Sequence, residues 1–191
     1  VLAAAARVIA ARGADGTRFT DVSEASGVPV STLQYYFGSR EDLLVAAFRS
    51  ASAIELSALR LEIEGLADTW ERLTRIVDAA LSGYSGGEAA SGQLWIESWR
   101  FAMRDAEMRT DVLEDYAAWR RLIADAVQAG NADGRWSVTD PERVAVTTIA
   151  LIDGMGPPLA LADPAVSPAF ARRAVLDALA SALGVHGPVP G

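Results

Sequence analysis

The sequence predicts an all-α fold of about nine helices, three short ones at the N-terminus followed by a larger helical bundle. Apolar residues recur every three or four positions through most of the 191 residues, and no segment alternates as a half-buried strand would. Punctuation at Gly13, Gly27-Val28-Pro29, Gly38-Ser39, Gly65, Asp140-Pro141 and Ser167-Pro168 cuts that pattern into helix-sized pieces. The length suits one globular unit or two small ones, and the expected domains are 1–49 and 50–191.

Val1 to Arg12 is an alanine-rich amphipathic helix with Leu2, Ala5, Ala6 and Ile9 on one side. It begins inside a helical pattern, which predicts an unseen leader, trimmed or missing, before it. Thr20 to Ser26 is the next helix, with Thr20 as a hydroxyl cap, Asp21 beside it, and an apolar edge of Phe19, Val22 and Ala25. Gly27 suits a left-handed helix stop, and Pro29 suits the first turn of a new helix. Val30 to Phe37 then sets Leu33 and Phe37 on one face and Ser31, Thr32, Gln34 and Tyr35 on the other. One helix that braces and a second that turns polar and aromatic side chains outward is a helix-turn-helix, here over about 18–37.

Ser39-Arg40-Glu41-Asp42 caps a long helix whose apolar face is expected at Leu44, Ala47, Phe48, Ala51, Ile54, Ala58 and Leu61. Gly65 ends it. Asp68 to Tyr84 carries Leu73, Ile76, Val77, Ala80 and Leu81 on one side, and Ser82 to Gly92 is Gly/Ser-rich, a mobile loop. Gln93 to Arg104 (QLWIESWRFAMR) is the most aromatic helix and has apolar residues on several faces, which marks it as central. Ala106 to Ala129 follows and closes at the turn cluster 130–134. Asp140-Pro141-Glu142 starts a helix through VAVTTIALIDGMG that Pro157-Pro158 limits or kinks, and Ser167-Pro168 starts the last, to Leu183.

Composition narrows the function classes. Hydrophobic residues make up 51% of the chain, yet no apolar run reaches membrane-spanning length and no signal-peptide pattern opens it. The absence of cysteine removes disulfide and thiolate chemistry, fits a reducing cytoplasm, and with a single histidine disfavours a metal site. The net charge of −8 is unevenly spread. Up to Arg49, five arginines balance five acids; from Ser50 onward 12 arginines face 20 acids. The acidity therefore belongs to the second domain, and a neutral helix-turn-helix leans on amides, hydroxyls and a few placed arginines. Gly83-Tyr84-Ser85-Gly86-Gly87 matches the G-x-S-x-G hydrolase pattern, with His186 far downstream. That motif needs a strand before its serine, whereas a helix precedes it here and His186 sits in a Pro/Gly tail, so no hydrolase, and no enzyme, is expected.

The run GVPVSTLQYYFGSREDLLVAAF resembles the DNA-binding end of the TetR family of transcriptional regulators, whose members read Gly-Val-x-x-x-Thr-Leu-Tyr-x-(His/Tyr)-Phe-x-(Ser/Asn)-Lys-(Glu/Asp)-x-Leu. The chain departs at Gln34, where Tyr is common, at Arg40, where Lys is common, and at Val30, where a polar residue is frequent. The resemblance implies that the turn Pro29-Val30-Ser31-Thr32 enters the major groove of a double-stranded DNA operator. Ser31 and Thr32 then donate to phosphates or base edges, Val30 packs on a thymine methyl, and Gln34 can pair with adenine. Tyr35 and Tyr36 reach phosphates, with Arg40, Thr20 and Arg18 on flanking phosphates. The other reading of Tyr36 is that it packs beneath its helix.

LWIESWR, YAAWRRLIADAV, DPERVA and ALIDGMGPPL are similar to the C-terminal region of a TetR subgroup named after the repressor of the glycine-betaine pathway. This implies a body that senses a small-molecule effector and forms a homodimer through about 140–158 and 167–183. The aromatic set Trp95, Trp99, Phe101, Met103, Tyr116 and Trp119 could line its pocket; the other reading is plain core. Glu97 and Asp153, carboxylates on apolar helices, suit a cationic effector if they face that cavity. The expected function is a cytoplasmic, ligand-responsive, dimeric repressor on a palindromic operator, without cofactor or membrane. The alternative is a helical small-molecule-binding or scaffold protein whose helix-turn-helix no longer reads DNA.

Overall fold

Capping chemistry sets most of the helix boundaries in the computed structural model, which describes residues 1–84 and 91–185. Among these residues there are nine α-helices and no strand: α1 (Leu2–Arg12), α2 (Phe19–Ser26), α3 (Val30–Phe37), α4 (Arg40–Glu64), α5 (Thr69–Ser82), α6 (Ser91–Ala102), α7 (Ala106–Ala132), α8 (Pro141–Ala160) and α9 (Pro168–Ala182). Asp68 accepts from the Trp70 and Glu71 N–H groups at 2.7 and 3.0 Å, Asp140 from Arg143 at 3.0 Å, and Ser167 from Phe170 at 3.1 Å. Each satisfies helix-end amides that would otherwise be unpaired, an effect of about 1 kcal/mol per cap. Ser39 and Asp42 cap α4 reciprocally: the Asp42 N–H donates to the Ser39 hydroxyl at 3.0 Å and the Ser39 N–H to Asp42 at 3.3 Å.

The chain forms two compact units, Val1–Leu56 with Glu88–Asp115 and Ser57–Gly87 with Tyr116–Gly191. In the first, α1 packs on α2 and on α6, and α2 packs on α3. Ala5, Ile9, Val22, Leu33, Leu43 and Leu44 are buried to within 1%. In the second, α5, α8 and α9 pack on one another around Leu73, Ile76, Ala145, Val175 and Leu179.

Five local expectations are corrected. α2 begins at Phe19, not Thr20. Thr20 is exposed and caps nothing; instead Asp21, three residues beyond Arg18, accepts the Arg18 N–H at 2.8 Å. The buried face of α4 runs through Leu56, Leu59 and Ile63, while Ile54 and Leu61 are 65% and 73% exposed. Both sets have helical spacing, so periodicity alone could not choose between them. α7 continues through Gly130 to Ala132 because Trp136 lays its ring against Gly130, where a Cβ would overlap it, and donates its indole N–H to the Val127 carbonyl at 2.8 Å. Asn131 adds two bonds to the Val138 backbone, at 2.8 and 2.9 Å. α8 passes through Pro157 and Pro158 and stops at Ala160; the missing proline N–H groups leave the Asp153 and Gly154 carbonyls without helical donors. Of the expected loop 82–92, Ser82, Ser91 and Gly92 are helical and residues 85–90 lie outside the described residues.

Candidate DNA-reading face and effector residues

Gly27 adopts the left-handed conformation (φ 73°, ψ 6°) that turns α2 into α3, and its N–H closes on the Ser23 carbonyl at 2.9 Å. The turn commits Leu33 to the interior, 1% exposed, and so commits the opposite face of α3 to solvent. That face carries Ser31, Gln34, Tyr35 and Tyr36, with Pro29 exposed before it and Val30 and Thr32 half-buried. Tyr35 and Tyr36 are 84% and 75% exposed, which excludes the reading of Tyr36 as a packing residue. Their rings meet edge to face at 5.4 Å. Holding two large aromatic side chains in water gains nothing for folding.

Arg18 and Thr20 are exposed at the start of α2. Arg40 is turned inward: its Nη1 donates to the Ala14 carbonyl at 3.1 Å and its side chain is 27% exposed. Sequence reading placed Asp21 beside the helix start but gave the cap to Thr20; it is Asp21 that closes the α2 cap and pairs with Arg12. The signal was present in the three-residue spacing from Arg18 to Asp21.

The residues expected to hold an effector divide by element. On α6, Trp95 and Trp99 lie with ring centroids 6.3 Å apart, and the Trp99 indole N–H is buried without a hydrogen-bond partner. Phe101 is buried beside Phe48 at 6.5 Å, whereas Met103 lies beyond the helix end and is 77% exposed. Glu97 accepts the Ala14 N–H at 2.7 Å and a bond from Arg100 at 2.9 Å.

In the second unit, the Tyr116 hydroxyl donates to Asp153 at 2.8 Å. Burial raises the Asp153 carboxyl above its ordinary range, against the opposing Tyr116 bond, and no arginine among the described residues pairs with it. Burial, then the bond and charge of Asp153, push the Tyr116 phenol up strongly. Trp119 is buried. Tyr84, missed in the sequence, is 4% exposed and packs on Gly156, where a Cβ would stand 2.7 Å from its ring.

The described residues contain no group of carboxylates and histidine arranged to hold a metal, and no helix among them is long and apolar enough to cross a membrane. A helix, α5, leads into Gly83 and Tyr84, not the strand a hydrolase elbow needs; Ser85, Gly86, Gly87 and His186 lie outside the described residues.

A three-helix head that turns the polar and aromatic face of its third helix to solvent defines a helix-turn-helix DNA-binding regulator. The chain belongs to the TetR family of bacterial regulatory proteins: residues 1–47 match that family's N-terminal model, and residues 70–184 match the model described as BetI-type transcriptional repressor, C-terminal. It is a ligand-responsive transcriptional regulator. It is 27% identical over 152 residues to the HTH-type transcriptional regulator BetI of Rhizobium meliloti (strain 1021), covering 80% of this chain and 72% of that protein. A crystal structure of a transcriptional regulator from Saccharomonospora viridis in complex with choline superposes with a TM-score of 0.84 at 27% identity, covering 92% of this chain and 91% of the other. A TetR-family regulator from Rhodococcus sp. gives 0.79 at 31% identity, covering 95% of each chain.

Proposed function

We propose that this protein is a cytoplasmic homodimeric repressor that reads a palindromic operator through α3 and releases it when an organic cation binds the body, acting without catalysis. The observation that carries the DNA reading is the exposed pair Tyr35–Tyr36 beside Gln34 and Ser31 on a helix anchored by Leu33. Tyr35 and Tyr36 take phosphates, Gln34 pairs with adenine, Ser31 and Thr32 meet phosphate or base edges, and Val30 meets a thymine methyl. Arg18 and Thr20 flank them on the backbone. Arg40 we assign to the Ala14 carbonyl instead.

The cation follows from Asp153. A half-buried carboxylate with no arginine paired to it is costly, and a ligand that brings positive charge removes that cost. Tyr116 and Tyr84 supply aromatic surface in the same unit, suited to a quaternary ammonium group such as that of the choline bound by the Saccharomonospora viridis regulator. The dimer forms through 140–158 and 167–183, where Val146 and Phe170 are 47% and 52% exposed.

Mobility shift with the DNA upstream of the protein's own coding region tests the reading. Tyr35→Ala is expected to weaken binding by about tenfold on every fragment, the loss of a phosphate contact, while Gln34→Ala relaxes discrimination at one base pair. Equal binding by wild type and both variants contradicts the assignment.

A further inference from the structure

The turn between α1 and α2 is held from two sides by charged side chains that DNA reading leaves unused. Its Ala14 peptide is fully buried, with the N–H donated to Glu97 at 2.7 Å and the carbonyl accepting from Arg40 at 3.1 Å. The next residue, Asp15, accepts from Arg100 at 2.6 Å and from Arg104 at 3.3 Å. Arg100 also bonds Glu97 at 2.9 Å, which joins the contacts into one network. Glu97, Arg100 and Arg104 are spaced by three and four residues, so one edge of α6 and its C-terminal extension presents all three to the turn. Three residues beyond the turn, Arg18 and Asp21 begin α2, the helix against which α3 packs.

We infer that Asp15 is a positioning residue for DNA reading: through Arg100 and Arg104 it fixes the α2–α3 pair in one orientation on α6. Arg40 serves the same turn from the α4 side. The inference rests on the proposed DNA-reading function but needs none of the effector chemistry. Bonds to a backbone amide, a backbone carbonyl and a carboxylate on two adjacent residues restrain rotation in a way that one ion pair does not. The Asp15 carboxyl lies below its ordinary range, first through the Arg100 bond, so it is ionised throughout the neutral range. Each of these partly exposed pairs is weak alone, and the network gives them a common effect.

The test uses the full chain and a palindrome enriched from random DNA, compared with versions whose half-site spacing is changed by two base pairs. Asp15→Asn and Arg100→Gln are each expected to lower the preference for the enriched spacing about fivefold, with single half-site affinity unchanged, within the range coupled contacts carry. Asp15→Glu is expected to restore the preference. An unchanged preference in both variants overturns the inference, and so does a fall in melting temperature with no change in preference. Should the wild type enrich no DNA, the proposed function fails, and the network is then judged by amide hydrogen exchange. Faster exchange in α2 and α3 of Asp15→Asn, with α8 and α9 unchanged, supports it; an identical pattern overturns it.

Discussion

Asp153 is the residue whose chemistry reaches furthest. Its raised pKa means the folded chain holds this proton more tightly than the unfolded chain. The carboxyl's contribution to stability is therefore greatest below the ordinary value of 3.8 and is lost as pH rises through the folded pKa. A cationic effector runs the other way, since it needs the ionised form. Choline affinity, measured by calorimetry, is expected to fall as pH drops through that raised range. Asp153→Asn is expected to remove this pH dependence and to weaken binding by about 10- to 100-fold, the worth of a charged contact. A pH-independent wild-type affinity contradicts the assignment. At this scale the sequence was legible where local spacing decides orientation, as for Gln34 and Tyr35 opposite Leu33. Glu97 was not: its partner Ala14 is 83 residues away, and no local pattern encodes that bond.

At the scale of elements, caps were the most readable feature, because Ser39, Asp140 and Ser167 bond amides within three residues of themselves. The buried face of α4 was not readable. Ile54, Ala58 and Leu61 are as periodic as Leu56, Leu59 and Ile63, and tertiary packing alone selects the second set. The end of α7 depended on Trp136 returning to Gly130, a contact in which the absence of a side chain is the requirement. Gly130→Ala is expected to destabilise the chain by about 1–3 kcal/mol through overpacking, read as a lowered thermal midpoint, even though alanine favours helix. A raised midpoint contradicts the packing account.

At the scale of the whole molecule, symmetry decides what the head of the proposed dimer can read. A two-fold dimer presents two copies of α3, so it demands a two-fold site, and every interface substitution acts twice. Phe170→Glu is expected to shift the chain toward monomer in sedimentation and to abolish binding to a palindrome while sparing weak half-site binding; an unchanged dimer contradicts the assigned interface. The charge division was legible in composition, a neutral first 49 residues and an acidic remainder, and it bears on salt dependence. With few arginines in the head, little affinity comes from counterion release, so most of it must come from placed contacts. The measurement that tests the central claim most directly is therefore enrichment of random double-stranded DNA by the purified protein at two salt concentrations. Recovery of one two-fold symmetric sequence at both concentrations is the predicted result. Weak binding that enriches nothing and vanishes as salt is raised contradicts the claim that this chain reads DNA.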